Sequence, residues 1–250
     1  MNKNIGSLIK NRAIIKVSGK DSLPFLQNIV TNDLNEVSKI SSIYSALLTP
    51  QGKFFCDFII SKYKLKNLNY LLLECDLDTI SSIINKLALY KMRSNVNIED
   101  VTNEYKVVAL TTINNDLNYK IKNLDNNIII ENSLIFIDPR SKHLGARVYL
   151  SNEEYFTFIN RQDVIINNEY EQTRIKLGIP EGMKDIIPEK DFILDYGFNE
   201  LNGVSFTKGC YIGQEITART FNRGKIKKSI YCLSSQKDLP DCGTEIFLKD

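Results

Sequence analysis

The sequence predicts an α+β protein, and three of its features point to that class. Short apolar runs of strand length occur throughout the 250 residues and are separated by polar, asparagine-rich turns. Other stretches repeat apolar residues every three or four positions, as amphipathic helices do. Strands and helices do not alternate strictly, which favours a mixed arrangement over a parallel sheet built from repeated strand–helix units.

The composition is that of a soluble globular protein, with 43% hydrophobic and 25% charged residues. A net charge of +2 gives no overall attraction to nucleic acid or to an anionic membrane. Five cysteines without a C-x-x-C pair predict reduced thiols, no resident metal site and a cytosol-like compartment. No stretch has the roughly 20 apolar residues of a membrane span, and no signal peptide is visible. We therefore expect a cytoplasmic protein, with the mitochondrial matrix as the alternative, that interacts with no membrane.

In the first part of the chain, apolar runs bounded by turn residues predict strands. Pro50 and Gly52 favour a tight turn that joins two of these runs into a hairpin. Asp21 is a candidate helix cap, and Lys91 and Arg93 place cations in the last turn of a second helix. The predicted strands are residues 13–17, 44–49, 53–63 and 70–75, and the predicted helices are residues 23–32 and 77–90.

The second part of the chain has the same mixed character. Ser151 and Glu154 form a capping-box pattern that opens one helix, and Gly178 and Pro180 end the next. Residues 178–203 then show little periodicity, and so long a connection is more often functional than idle. The predicted strands are residues 96–98, 105–110, 128–130, 134–137, 147–150 and 228–233, and the predicted helices are residues 151–159 and 168–177.

The most informative stretch is residues 208–215, which read K-G-C-Y-I-G-Q-E. A helix is predicted to begin at Gly213, which places Cys210 just before its N-terminus, where unpaired N–H groups favour a thiolate. The positive charge of Lys208 is predicted to favour the thiolate further. Cys210 and Lys208 are therefore the candidate catalytic residues. A buried structural cysteine is the alternative. The other candidate residues of the motif are Gly209, Tyr211, Gly213, Gln214 and Glu215.

Residues 206–215 resemble the K-G-C-Y-x-G-Q-E signature of the YgfZ-type folate-binding proteins. These proteins assist iron–sulfur cluster maturation and are related to the glycine-cleavage aminomethyltransferase, the T-protein. Further blocks look like those of this family and follow its order, so the resemblance extends from about residue 14 to residue 228. These blocks are residues 25–27, 31–34, 48–53, 90–93, 138–140, 144–145, 178–182 and 202–206.

The resemblance implies an aminomethyltransferase-like folate-binding fold with tetrahydrofolate as the cofactor. Two α+β subdomains would occupy residues 1–226, and residues 227–250 would start a small C-terminal β-barrel with room for only about two strands. Some relatives stack the pterin on tryptophan, which this chain lacks. By position, Tyr170 and Arg12 take those places. Arg219 and Arg223 are predicted to lie near the folate glutamate tail, although such a basic run is also typical of a solvated face.

Several functions follow from these residues. The first is a folate-binding accessory protein in iron–sulfur cluster assembly or repair. It would act through Cys210, as a redox-sensitive thiol or as a transient cluster ligand, and as a monomer that works with iron–sulfur assembly proteins or cluster-containing client enzymes. The second is a folate-dependent aminomethyl transferase with Asp76 or Asp78 as its carboxylate. A thiol enzyme with a dyad of Cys210 and His143 is a third. An indirect role in tRNA modification is also left open, as is whether any reaction is catalysed.

Overall fold

The computed structural model of the chain describes residues 4–37, 42–65, 68–112, 127–130, 133–161, 164–224, 226, 228–236, 238–241 and 243–247. Within these residues the backbone forms two β-sheets with helices packed around them. This architecture confirms the α+β class.

The first sheet is built from the N-terminal part of the chain. Its strands, within the described residues, are β2 (Arg12–Ser18), β3 (Ser42–Leu48), β4 (Phe54–Leu65), β5 (Leu68–Asp76) and β6 (Asn97–Asp100). They lie in the order β3-β4-β5-β2-β6, and all neighbours are antiparallel. The predicted hairpin is confirmed as β3 and β4, in which Ala46 lies opposite Asp57.

The second sheet adds a strand from the start of the chain to strands from its middle. Its described strands are β1 (Asn4–Leu8), β7 (Tyr105–Thr112), β8 (Asn127–Ile130), β9 (Ser133–Ile137), β10 (Ala146–Ser151) and β11 (Val164–Ile166). They lie in the order β11-β1-β7-β10-β9-β8, and β1 and β11 are parallel. The sequence did not predict these two strands, because β1 is short and contains polar residues and glycine, and β11 has only three residues.

Six helices accompany the sheets in the part of the chain that is described: α1 (Ser22–Gln27), α2 (Ile80–Lys91), α3 (Asn152–Ile159), α4 (Glu169–Lys176), α5 (Gly182–Asp185) and α6 (Gln214–Asn222). The predicted capping box is present at α3, where the Glu154 N–H donates to the Ser151 hydroxyl. α1 ends at Gln27 rather than at the predicted residue 32, because the chain turns there and Val30 pairs with Leu47.

The elements stack as helix, sheet, sheet and helix. One core lies between the two sheets and contains Tyr44 and Phe54 from the first sheet and Phe136 from the second. A second core lies between the first sheet and helices α1 and α2, which contribute Leu26 and Ile83. A third core lies between the outer face of the second sheet and α3. Polar side chains that point into the core between the two sheets are therefore shielded from water and need partners within the protein.

Residues 178–203 are a packed segment that closes over the β3–β4 hairpin. The Phe54 N–H donates to the Asp191 carbonyl at 2.9 Å, and the Glu189 N–H donates to the Phe54 carbonyl at 2.7 Å. The Phe198 ring stacks on Tyr44 with 4.8 Å between the ring centres. The segment thus joins the core between the sheets and carries its last residues to the site described below.

The predicted strand at residues 228–233 is wrong. These residues are described and form no strand, and the described residues beyond α6 contain neither helix nor closed barrel. Apolar side chains here, such as Tyr231, Leu233 and Phe247, are exposed, so no sheet face covers them. The predicted domain boundary at residues 226 and 227 stays a prediction. No helix among the described residues is long and apolar enough to cross a membrane.

Candidate functional site

Residues 208–213 form a loop, which we call the Cys210 loop, that presents Cys210 at the protein surface. α6 begins at Gln214 and Gly213 occupies its N-cap, which confirms the predicted helix start. Cys210 is exposed, whereas Cys56 and Cys75 are buried in the sheet. Burial raises the pKa of the Cys75 thiol to about 12. The alternative of a buried structural cysteine therefore fits Cys56 and Cys75 and does not fit Cys210.

Gly213 anchors this loop against the hairpin turn between β3 and β4. Its φ is +80°, and a Cβ there would lie 2.6 Å from the Thr49 carbonyl oxygen and 2.8 Å from the Leu48 Cβ. Only glycine tolerates both the backbone angle and the close approach. Gly209 differs, because a Cβ at that position would meet no atom within 4 Å. The surface beside the thiol is thus open.

Lys208 does not take the role predicted for it. The side chain is buried, and its ammonium donates to the carbonyl oxygens of Gln27 at 2.7 Å, Val30 at 2.7 Å and Asn32 at 2.8 Å. These three bonds use all three ammonium hydrogens, so none remains for the Cys210 thiol. Burial lowers the pKa of Lys208 to about 8, and the nearby Asp33 carboxylate acts in the opposite direction.

The remaining motif residues support the start of α6. Tyr211 is buried with its ring centre 5.1 Å from the Lys208 ammonium, and burial raises its pKa to about 12. The Gln214 N–H donates to the Tyr211 carbonyl at 3.2 Å. Glu215 is exposed and forms an ion pair with Arg219 one turn later on the outer face of the helix.

A cleft of about 810 Å³ lies beside the Cys210 loop. Its walls come from the chain after α1, from β3, from the end of β9, from residues 199–207 and from α6. The lining residues are Asn32, Asp33, Glu36, Ser42, Ile43, Tyr44, Ile137, Asp138, Pro139, Asn199, Asn202, Val204, Ser205, Phe206, Thr207 and Phe221. The cleft has the volume of a small-molecule site and a wall rich in hydrogen-bond acceptors.

Two aromatic rings line the cleft, one from the segment just before the Cys210 loop and one from α6. Phe206 and Phe221 stack with 3.7 Å between their ring centres, and both line the cleft. Arg219 and Arg223 lie two residues on either side of Phe221, and so point away from the face that carries this ring. Neither arginine is among the lining residues, and both are exposed. Their predicted contact with a folate tail stays a prediction.

Arg12 and Tyr170 meet in a buried charged centre between the sheets. Arg12 Nε donates to Glu74 Oε1 at 2.9 Å, and Arg147 Nη1 lies 3.4 Å from the same oxygen. Arg147 Nη2 donates to the Tyr170 hydroxyl at 2.6 Å, and its guanidinium lies 4.8 Å from the Tyr170 ring centre. Arg147 therefore links the two residues that the resemblance assigned to folate.

The charged centre lies directly behind the cleft wall. Asp138 lines the cleft, accepts from Arg140 Nη2 at 2.8 Å and from Arg147 Nε at 3.1 Å, and is itself buried. Burial alone would raise its pKa, but the two guanidinium groups lower it to about 2. Arg140 also donates to the Tyr170 hydroxyl at 2.8 Å. The Tyr170 side chain is therefore enclosed by arginines and is not one of the residues that line the cleft.

Sequence reasoning missed Asp57, which also belongs to this region. Its carboxylate is buried, Oδ2 accepts from the Tyr44 hydroxyl at 3.0 Å, and Oδ1 has no hydrogen-bond partner. Glu181 nearby is buried as well; burial would raise its pKa, but the cation of Arg12 and other cations lower it. A carboxylate inside the apolar run F-F-C-D-F-I-I was the signal that could have found Asp57.

The other candidates lie apart from the loop or in local turns. Asp76 Oδ1 accepts from the Asp78 N–H at 3.0 Å, a turn that precedes α2. His143 is exposed in the short turn before β10. Its predicted dyad with Cys210 stays a prediction. Among the described residues, no group of three or more His, Cys, Asp or Glu side chains is arranged to hold a metal ion.

The chain resembles known proteins both in its sequence and in its fold. Residues 9–111 match the model of the GCVT N-terminal domain. The fold is similar to the crystal structure of glycine cleavage system aminomethyltransferase T from Bartonella henselae, with a TM-score of 0.68. That match covers 89% of this chain and 64% of the other at 14% sequence identity, which confirms the aminomethyltransferase-like fold.

Curated relatives share one name. The chain is 31% identical to "Iron-sulfur cluster assembly factor IBA57, mitochondrial" of Homo sapiens and 30% identical to that of Mus musculus, and each match covers 94% of this chain and 67% of the relative. The homologue of Neurospora crassa is 32% identical over 89% of this chain and 52% of its own length. The chain thus spans between about half and two thirds of these relatives.

Proposed function

We propose that this chain, which belongs to the family of iron–sulfur cluster assembly factors named IBA57, is an accessory protein in iron–sulfur cluster assembly or repair that acts through Cys210. The observation that carries this proposal is the exposed thiol before α6, on a loop that the buried Lys208 and Tyr211 and the closely packed Gly213 anchor. From the resemblance of residues 206–215 to the YgfZ-type signature, we also propose that the chain is a protein of the YgfZ type.

A single thiolate cannot hold an iron–sulfur cluster, because such clusters generally take four protein ligands. We therefore propose that assembly proteins or client enzymes supply the other ligands to a cluster at Cys210. The named relatives are mitochondrial proteins. In a eukaryotic cell, the mitochondrial matrix is accordingly the compartment that we propose.

We further propose that the cleft binds tetrahydrofolate, a carrier of one-carbon units. The chemistry of the lining residues suits the pterin end, because Asp33 and Asn199 offer acceptors to its N–H donors and Phe206 offers a ring face. The lining residues include no cation for the glutamate tail, so we expect the tail in solvent. Arg12 and Tyr170 would support the wall from behind rather than contact the pterin.

Titration of the protein with tetrahydrofolate tests this site. We expect Phe206→Ala to weaken binding by about tenfold, the usual effect of losing one aromatic stack in a pocket. Phe156→Ala is the control, because that ring is exposed on α3, outside the cleft. Equal loss of affinity in both variants, or no binding by the wild type, would remove folate from the cleft.

Aminomethyl transfer is the second candidate, and Asp57 favours it. This buried carboxylate has a free oxygen, unlike Asp76, which is engaged in a local turn. Two assays separate these functions. An accessory factor restores the activity of iron–sulfur enzymes in cells that lack the native protein and, when purified, shows no glycine-cleavage half-reaction. A transferase shows the half-reaction.

A further inference from the structure

The Lys208 ammonium occupies a cage of backbone carbonyls where α1 ends. The last carbonyls of a helix lack partners within the helix and carry partial negative charge. The Gln27 carbonyl is the last of α1, and those of Val30 and Asn32 follow in the turn that leads to the first sheet. Three ammonium hydrogens meet three carbonyl oxygens at 2.7 to 2.8 Å, so the cage suits a primary ammonium.

This cage joins two walls of the cleft. Asn32 lines one wall, and Ser205 lines the wall that leads into the Cys210 loop. As far as Ser205, other hydrogen bonds hold the two walls together. The Asn32 side-chain amide donates to the Asn202 carbonyl at 2.6 Å, and the Ser205 N–H donates to the Thr31 carbonyl at 3.0 Å. Beyond Ser205 the chain continues to the exposed Cys210, and Lys208 supplies three further bonds to the segment from Gln27 to Asn32 that leads into the first wall.

We propose that Lys208 is a positioning residue whose ammonium fastens the Cys210 loop to the end of α1. This inference rests on the proposed function of Cys210 and names what holds that thiol in place. Gly209 lies between the two residues with open space on its surface, so a partner can approach the thiol while Lys208 stays bound. Gly213 holds the other end of the loop against the hairpin turn. The thiol is thus fixed from both sides.

Lys208→Met tests the tether, because it keeps the length of the side chain and removes the ammonium. We expect amide hydrogen exchange in residues 205–213 to accelerate by about tenfold or more, since hydrogen bonds from charged donors are strong, while exchange in β3 and β4 stays unchanged. Lys176→Met, which alters an exposed lysine on α4, should leave both regions unchanged. Unchanged exchange in residues 205–213 of Lys208→Met would overturn the proposal.

Lys208→Ala with added amines tests the cage itself and covers the case in which Lys208→Met does not fold. Butylammonium presents the same three N–H donors and should restore slow exchange or folding of Lys208→Ala. Tetramethylammonium has no N–H group and should not. Failure of butylammonium, or equal effects of the two cations, would overturn the cage as the basis of the tether.

The role of the tether in function is read in cells. In cells that lack the native protein, the activity of iron–sulfur enzymes should be about tenfold lower with Lys208→Met than with Lys176→Met, because the Cys210 thiol is no longer held in position. Full rescue by Lys208→Met would overturn the positioning role. Full rescue by Cys210→Ser would instead defeat the proposed function, and the exchange and amine measurements would still report on the tether, because they use no cluster assay.

Discussion

Charged side chains serve different purposes in the buried centre around Arg147 and in the loop that carries Cys210. In the centre, guanidinium groups pair with carboxylates, and the pair of Arg147 and Glu74 joins the two sheets. In the loop, one ammonium bonds only to backbone carbonyls, and the thiol that it supports is left exposed. The charges of the centre are thus bonded to one another inside the protein, whereas the Cys210 thiol of the loop remains exposed to solvent. Substitutions in the two regions should therefore affect different properties.

The largest effect on stability is expected from Arg147→Ala. This change removes one of the two guanidinium partners of Glu74, Asp138 and the Tyr170 hydroxyl, which keep only Arg12 or Arg140. We expect a cost of about 3 kcal/mol in the free energy of unfolding, the lower end of the range for a broken buried ion pair, because one partner remains. Urea denaturation measures it. The control is Lys16→Met, which removes a half-exposed pair with Glu99 and should cost under about 1 kcal/mol. Equal costs for the two variants would show that the centre is not a stabilising unit.

Acid should expose the next largest effect, at Asp138. Its pKa is about 2 in the folded protein and about 4 in an unfolded chain, so the unfolded state binds more protons between these values. The carboxylate therefore contributes stability above about pH 4 that is lost as the pH falls toward 2, roughly 2.5 kcal/mol in all. Denaturation curves recorded across this range should show the loss in the wild type. In Asp138→Asn the slope should be shallower, and an identical slope would contradict the assignment.

A smaller effect should distinguish two glycines of the same loop. Gly213→Ala places a Cβ against the Thr49 carbonyl at a positive φ and should cost about 1 to 2 kcal/mol. Gly209→Ala meets no neighbour and should change the free energy of unfolding by less than about 0.5 kcal/mol. Thermal or urea unfolding of both variants provides the test. If Gly209→Ala were the more damaging of the two, the loop would not pack as described.

Local features of the fold were predictable from sequence, because each depends on neighbouring residues. The hairpin of β3 and β4, the capping box at Ser151 and the start of α6 after Gly213 follow from turn residues and periodicity. The strand expected at residues 228–233 shows the limit of this approach. An apolar run forms a strand only where a neighbouring strand hydrogen-bonds to its backbone, and the periodicity of the sequence does not reveal whether such a neighbour is present.

The site was predictable in its residues but not in their partners. The motif pointed to Cys210 and Lys208, yet the Lys208 ammonium bonds to carbonyls far away in the chain, between Gln27 and Asn32. The pairing of Arg147 with Glu74 likewise requires the two sheets to be stacked face to face. Both contacts are set by tertiary packing, so charge and spacing along the sequence could suggest the groups and not their arrangement.

Cys210→Ser should hardly change stability but should abolish function, and so it tests the role of the exposed thiol most directly. The side chain is exposed and the change in volume is small, so the free energy of unfolding should shift by less than about 0.5 kcal/mol. In cells that lack the native protein, the variant should fail to restore iron–sulfur enzymes. Cys232→Ser, which alters another exposed cysteine outside the motif, should restore them as the wild type does. Full rescue by Cys210→Ser, with normal stability, would contradict the proposed role of this thiol.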